Sequence, residues 1–265
     1  QPVDHQQMGH EYIGEVIEVG DDVKTVKPGD FVVGSFCISC GECATCQDGY
    51  PSRCLKAIAA GDGFIGMRSN GTQAEYARIP FADGTLVKTP AYPTAEQIPH
   101  LMAASDVLGT GWYAADAAKA GPGKAIVVVG DGAVGLGAVI GAKQLGAEKI
   151  IMMSRNPKRQ ELAKQFGATH VVEERGEEGI AKVLELTDGV GAHGVVEAVG
   201  TQQAFDQALG CVRHGGYIGF VGVPHDSSIG TDVLFGKQVH LEGGPAPVRK
   251  YLPTLIDLIY KGEIE

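Results

Sequence analysis

Hydrophobic and polar positions fall into two rhythms along the chain. From Tyr12 to about Leu86 the apolar runs are short and β-rich, at Tyr12–Val19, Phe31–Ser35, Ala74–Ile79 and Thr85–Val87. Turn signals such as Gly20-Asp21-Asp22 and Lys27-Pro28-Gly29-Asp30 separate them, so these runs read as strands of a small all-β domain. From Ala95 the pattern lengthens into alanine-rich helix over Glu96–Leu108 and Gly111–Ala120. Strand runs follow at Ala125–Val129, Lys149–Met153, His170–Val172, Gly194–Val199, Gly216–Val221 and Val239–Leu241. Helical stretches lie among them, at Leu136–Leu145, Gln160–Phe166 and Gly179–Thr187. Strands separated by helices imply βαβ units and a parallel sheet, so the expected class is α/β. No internal repeat or low-complexity segment interrupts the pattern.

Composition narrows what such a chain can do. Its 265 residues suffice for one large domain or two ordinary ones. A formal charge of −10 argues against nucleic acid and anionic membrane surfaces as partners. No apolar run reaches bilayer length, and the cytoplasm is the expected compartment. The 39 glycines suit a protein with many tight strand–helix turns. The chain opens Gln1-Pro2-Val3 without an initiator methionine and stops soon after a helical stretch, so a fragment of a longer protein is expected.

Candidate chemistry is concentrated in three places. The stretch from Cys37 to Cys54 holds five of the six cysteines. Cys40, Cys43, Cys46 and Cys54 follow C-x2-C-x2-C-x7-C, a spacing that lets thiolates converge on one tetrahedral ion. A closed four-sulfur zinc site of this kind is structural. Disulfides would need an oxidising compartment, which nothing here signals. An iron–sulfur cluster is the sharper rival, because Cys37 continues the every-third-residue run, but the x3-C-P continuation of bacterial ferredoxins is missing. Cys37 is left as a spare, and Cys211 reads as a small core residue.

The second place is the turn after the run Ile126–Val129. Gly130-Asp131-Gly132-Ala133-Val134-Gly135 spells G-x-G-x-x-G between a strand and a helix, the order a Rossmann dinucleotide fingerprint requires. Gly130 permits the turn, Gly132 lets a pyrophosphate approach, and Gly135 lets helix and strand pack closely. NAD sites usually place a carboxylate at the tip of the next strand. Here that position is Ser154, followed by Arg155, Lys158 and Arg159. A small hydroxyl among cations suits a 2′-phosphate, so NADP(H) is expected, with NAD(H) the alternative. A solvated basic helix start is the blander reading of the same residues.

The third place is Gly9-His10-Glu11 together with Asp106, in Ala104–Gly111. Alone, His10 reads as a surface or core histidine and Asp106 as a helix cap. With G-H-E-x-x-G-E-V-x-x-V-G at Gly9–Gly20, V-K-x-G-D-x-V at Val26–Val32, the cysteine loop, G-T-Q-A-E-Y at Gly71–Tyr76 and the glycine fingerprint in this order, the chain resembles the medium-chain zinc-dependent alcohol dehydrogenases from end to end.

That resemblance implies a GroES-like β domain carrying a structural zinc loop, a doubly wound Rossmann domain, a cleft between them as active site, and homo-oligomers, either dimers or tetramers. The domains would run 1–109, 110–245 and a returning segment 246–265. By position, His10 would be a ligand of the catalytic zinc, Glu11 a neighbouring exchangeable carboxylate, and Asp106 a ligand where many members have cysteine. Thr110 would lie near the nicotinamide. Val199, Val221 and Val223 match strand ends whose backbone receives the carboxamide, while Ser154 and Arg155 match the tip that discriminates cofactors.

The implied activity is hydride transfer between an alcohol, or an aldehyde or ketone, and NADP(H) or NAD(H). One element departs from the family pattern. Its first zinc ligand is a cysteine well before Gly-His-Glu, followed by a Ser or Thr of the proton relay, yet only nine residues precede His10 and none is cysteine. This chain is therefore expected to hold its catalytic zinc loosely and to be impaired, its parent being active. Two alternatives stand beside this reading. One is a zinc-independent reductase of the quinone oxidoreductase kind, which would lack the cysteine loop and the histidine. The other is a non-catalytic dinucleotide-binding zinc protein. Substrate contacts are expected from the family's N-terminal segment ahead of Gln1 and from the loop around Ala57–Arg68, without indicating which alcohol.

Overall fold

The computed structural model describes residues 7–66 and 71–264. Arg68, at the end of the expected substrate loop, lies outside them. Two compact units form, one from the residues up to Gly109 together with those from Pro247 onward, the other Thr110–Ala246.

In the first unit, β1 (Ile13–Glu15), β2 (Phe31–Gly34) and β3 (Leu86–Lys88) make an antiparallel sheet in the order β1-β2-β3. Ile13 pairs with Val33, and Val33 with Val87. The central strand β2 is buried along its length because Phe31, Val32 and Val33 are apolar on both faces. Tyr12, Val16, Val26, Ile38, Ile65 and Leu86 close the core around it. The helix Val248–Tyr260 joins this unit, packing on the helix Gln97–Ala104. Its Leu252, Leu255, Ile256 and Ile259 are buried at helical spacing.

The expected strand Ala74–Ile79 does not form. The segment is irregular and exposed, Tyr76 included. Alternation alone cannot make a strand, and among the described residues no neighbouring strand pairs with this run. The run Tyr12–Val19 is likewise a strand only over Ile13–Glu15, where β2 pairs with it.

The second unit contains a six-stranded parallel sheet. Its strands are β4 (Ala125–Val129), β5 (Lys149–Met153), β6 (His170–Val172), β7 (Ala192–Glu197), β8 (Val212–Phe220) and β9 (His240–Gly243), in the order β6-β5-β4-β7-β8-β9. This is the doubly wound order 3-2-1-4-5-6 of a Rossmann fold. The central strands β4, β5 and β7 are buried on both sides, which explains the unbroken apolar runs of β4 and β5. Ile126, Val128, Ile150 and Met152 face one cluster with Ala138 and Val139 of the helix Ala133–Gln144. Val127, Val129, Ile151 and Met153 face the other, with Val183, Ala204 and Ala208 from the helices Gly176–Leu186 and Gln202–Cys211.

Strands β4, β5 and β6 coincide with the expected runs. Strand β7 ends at Glu197 and not Val199, because the Glu197 carboxylate turns back to accept from the backbone N–H groups of Val199 and Gly200, at 2.8 and 2.7 Å. The hydrophobic rhythm gives no sign of the helix Gln202–Cys211, whose start is marked by Thr201 accepting from Ala204 N at 3.3 Å. Cys211 is fully buried in the core.

Candidate functional site

The cysteine loop is built from short pieces: a helical turn at Ala44–Gln47, a 3-10 turn at Pro51–Arg53 and a helix at Leu55–Ala59. These turns bring the sulfurs of Cys40, Cys43, Cys46 and Cys54 within 4.8 Å of one another. Cys43 Sγ stands 3.5 Å from Cys46 Sγ and 3.9 Å from Cys54 Sγ. A tetrahedral zinc with Zn–S bonds of about 2.3 Å sets sulfurs about 3.8 Å apart, so the cluster fits one ion, and a polynuclear cluster would need a wider cage.

None of the six cysteines forms a disulfide. Backbone N–H groups of Cys40, Cys43 and Ala57 donate to the sulfurs of Cys54, Cys40 and Cys54 and so fix where these sulfurs stand. The Thr45 hydroxyl pulls Cys43 down to about 5, whereas burial pushes Cys46 up to about 12. Cys37 is buried apart from the four, in a backbone bridge to Phe64.

A second cluster lies in the same unit. Donor atoms of His10, Glu11 and Asp106 all lie within 4.8 Å of one another. The G-T-Q motif braces G-H-E: Thr72 N donates to Gly9 O at 3.0 Å, Gln73 N to Met8 O at 2.9 Å, and the Thr72 hydroxyl to Glu11 O at 3.3 Å. Asp106 arrives from the junction between the helices Gln97–Ala104 and Val107–Ala117.

His10 Nε2 meets Asp106 Oδ2 at 2.9 Å. The hydrogen bond that Asp106 accepts raises the His10 pKa against the opposing effect of burial. Burial first, and the Asp106 charge second, raise that of Glu11. Three donors therefore converge on a spot that stabilises positive charge, and one nitrogen with two carboxylates is a donor set zinc accepts. The His10 ring lies 5.8 Å from that of Phe36, which stacks on Phe64 at 5.9 Å. An apolar wall thus flanks the polar cluster.

The dinucleotide motif occupies the carboxyl end of β4, at the switch point where β5 and β7 leave on opposite sides. Gly130 takes φ +112, and a Cβ there would meet Val199 Cγ2 at 2.9 Å. A Cβ on Gly135 would stand 1.7 Å from Gly130 O. On Gly132 it would meet nothing within 4 Å, which leaves open space beside the start of the helix Ala133–Gln144. No side chain caps that start, so the N–H groups of Ala133, Val134 and Gly135 are available to an anion. This cradle fits a pyrophosphate. Gly132→Val is expected to leave the melting temperature unchanged while weakening dinucleotide binding tenfold or more, read by fluorescence titration.

Val199 and Val223 are exposed at the same carboxyl edge, with Val221 between them in sequence. Thr110 is buried within the helix Val107–Ala117. Ser154 is fully buried, Arg155 is exposed, and Arg159 lies on the first turn of the helix Pro157–Phe166. Two carboxyls at this edge were not singled out by sequence reasoning. Asp131, inside the glycine turn, accepts from the Ser154 hydroxyl at 2.6 Å and pairs with Arg159 at 2.9 Å. Glu197 is fully buried, and burial pushes its pKa up against the two N–H donors at Val199 and Gly200. The sequence signal for Asp131 was a charged residue between two glycines; Glu197 in an apolar strand end offered none.

A doubly wound nucleotide fold and a GroES-like β unit with a four-cysteine loop define the class. Comparison with known proteins agrees. Residues 1–91 match the family model of the alcohol dehydrogenase GroES-like domain, and residues 133–261 that of the zinc-binding dehydrogenases. The chain is 38% identical to zinc-type alcohol dehydrogenase B of Aspergillus flavus over 97% of its own length and 60% of that protein. It is 36% identical to a medium chain reductase/dehydrogenase of Acremonium sp, over 83% of this chain and 75% of the relative. Among solved structures, an alcohol dehydrogenase from Thermus sp. ATN1 superposes with a TM-score of 0.86 at 32% identity, covering 97% of this chain and 74% of the other. The chain belongs to the medium-chain zinc-dependent alcohol dehydrogenase family. It spans 60% of the length of the Aspergillus relative.

Proposed function

We propose that the protein moves hydride between an alcohol and a nicotinamide dinucleotide, the aldehyde or ketone being the other substrate. The observation that carries this reading is the convergence of His10, Glu11 and Asp106 within 4.8 Å in a chain of this family. A zinc held by them would supply Lewis acidity to the substrate oxygen. The dinucleotide supplies the hydride acceptor or donor.

The chain's own residues do the rest. His10 offers a ring nitrogen, and the carboxylates of Asp106 and Glu11 balance the cation's charge. Phe36, beside His10, gives the carbon skeleton of the alcohol an apolar surface. The cradle Gly130–Gly135 binds pyrophosphate, while Thr110 and the backbone at Val199, Val221 and Val223 orient the nicotinamide. Orientation of this kind turns a bimolecular encounter into a positioned transfer. Cys40, Cys43, Cys46 and Cys54 hold a structural zinc. The charge around the tip of β5 decides between NAD(H) and the NADP(H) that Ser154, Arg155 and Arg159 suggest. A homo-oligomer, dimer or tetramer, in the cytoplasm is the accompanying expectation. Among the described residues no helix is long and apolar enough to cross a membrane.

The reading is tested by elemental analysis of the chain equilibrated with zinc, where two zinc per chain are expected, the one at His10 the more readily lost. One zinc, lost on treatment with a thiol-directed reagent, would leave only the cysteine site and sink the catalytic assignment. Iron in place of zinc would favour a cluster at the cysteines.

A further inference from the structure

The end of β5 offers no carboxylate of its own, yet one stands there. Ser154 follows the last residue of β5, at the position from which a dinucleotide's adenosine ribose is read. It is fully buried, and its hydroxyl donates to Asp131 Oδ2 at 2.6 Å. Asp131 comes from the neighbouring turn, between Gly130 and Gly132, and its other oxygen, Oδ1, accepts from Arg159 Nη1 at 2.9 Å. A single acid thus occupies both the hydroxyl and one of the guanidinium groups that the sequence offers to a 2′-phosphate.

We propose that Asp131 is the ribose-reading acid of this chain, acting from the glycine turn in place of the missing strand-end carboxylate, and that it selects NAD(H) over NADP(H). The inference rests on the dinucleotide-binding reading above. Its physical basis is the difference between two ligand groups. A ribose 2′-hydroxyl has a proton to donate to a carboxylate oxygen. A 2′-phosphate is largely dianionic at neutral pH and would face a like charge. The Asp131 side chain is only 17% exposed, so solvent screens it weakly. Burial works against its ionisation, but the Ser154 hydroxyl and the Arg159 guanidinium outweigh burial and hold its carboxyl below the usual range.

The opposing effect is the basic helix start. Arg155 and Lys158 are exposed there and attract any phosphate, but at surface strength and in competition with salt. Arg159 spends Nη1 on Asp131, so a 2′-phosphate taken by its remaining N–H groups would stand beside that partly buried carboxylate and set two new negative charges against it. At separations of a few ångströms such repulsion changes affinity by roughly tenfold or more.

The test is a fluorescence titration of the purified chain with NADH and with NADPH, repeated for Asp131→Asn. The variant keeps the side chain's shape and leaves an oxygen to accept from Ser154, while removing the charge. The unaltered chain is expected to bind NADH at least tenfold more tightly than NADPH. In D131N that ratio should fall tenfold or more, with the melting temperature within a few degrees of the parent. Tighter binding of NADPH by the unaltered chain would overturn the proposal and return the choice to Arg155 and Arg159, as would a ratio unmoved by D131N. If D131N does not fold, the ratio measured on the unaltered chain decides alone. Binding of neither coenzyme would instead overturn the dinucleotide-binding reading, and the proposal with it.

Discussion

Replacing Cys43 with serine is expected to cost the chain one zinc and to lower the melting temperature of its first unit by roughly 10 °C or more. The size of the effect follows from how little else holds the loop. Ala44–Gln47, Pro51–Arg53 and Leu55–Ala59 are helical pieces of three to five residues, far too short to be stable alone. From this loop only Cys54 and Ala57 join the buried core of the β unit, with Cys40, Cys43 and Cys46 partly buried against it. Without a cation, four thiols within 4.8 Å cannot all ionise, and Cys43, held down to about 5, stands beside Cys46, pushed up to about 12. With zinc, all four sulfurs are deprotonated and the ion closes the loop. Structural zinc contributes about 10–16 kcal/mol of apparent binding free energy in small domains, and much of that is folding free energy. Serine keeps the size but offers a hydroxyl of far higher pKa. Calorimetry with elemental analysis checks both parts, and NADH binding should survive because the glycine cradle belongs to the other unit. An unchanged melting temperature with zinc lost would show that the loop folds without its metal.

How far the sequence revealed the fold depends on where burial is two-sided. β4 and β5 are legible because Ile126–Val129 and Ile150–Met153 are apolar on every residue, and only a strand covered on both faces requires that. Ala74–Ile79 shows the reverse case, an alternating run that no strand among the described residues completes. The helix Gln202–Cys211 escaped notice because Gln202, Gln203, Asp206 and Gln207 dilute its apolar stripe. Candidate chemistry divides along the same line. The four cysteines advertise themselves by local spacing, and so do the three glycines. His10 and Asp106 are 96 residues apart and meet only through the tertiary fold, so nothing but family resemblance could pair them from sequence. Asp131 was overlooked for a related reason. A fingerprint names its glycines and leaves the residue between them free, while the role of that residue is set by Ser154 and Arg159, which lie on and after the tip of another strand.

His10→Ala is expected to reduce alcohol oxidation by a thousandfold or more, take bound zinc from two per chain to one, and leave NADH affinity within about twofold. Each part follows from a separate piece of geometry. Of the three donors, His10 supplies the only nitrogen, and without it Glu11 and Asp106 are left as two carboxylates at an exposed surface, a set that holds zinc weakly. Loss of the ion removes the positive charge on which the alcohol's deprotonation depends, and a Lewis acid at a reacting oxygen contributes several kcal/mol to the transition state. That corresponds to about three powers of ten, since each 1.36 kcal/mol is a factor of ten. The dinucleotide cradle is untouched, because Gly130–Gly135, Asp131 and Ser154 all lie in the second unit. Asp106 also loses the partner it meets at 2.9 Å, but it is close enough to solvent for water to replace the ring nitrogen, so stability should change little. The informative pattern is therefore a split: catalysis and one zinc gone, cofactor binding and melting temperature retained. Oxidation that persisted at a tenth of the parent rate with both zinc ions still bound would remove His10 from the metal site. A parallel fall in NADH affinity would indicate that the substitution had disturbed the fold, and Glu11→Gln would then separate the two, since it removes one ligand charge without emptying the space beside Phe36.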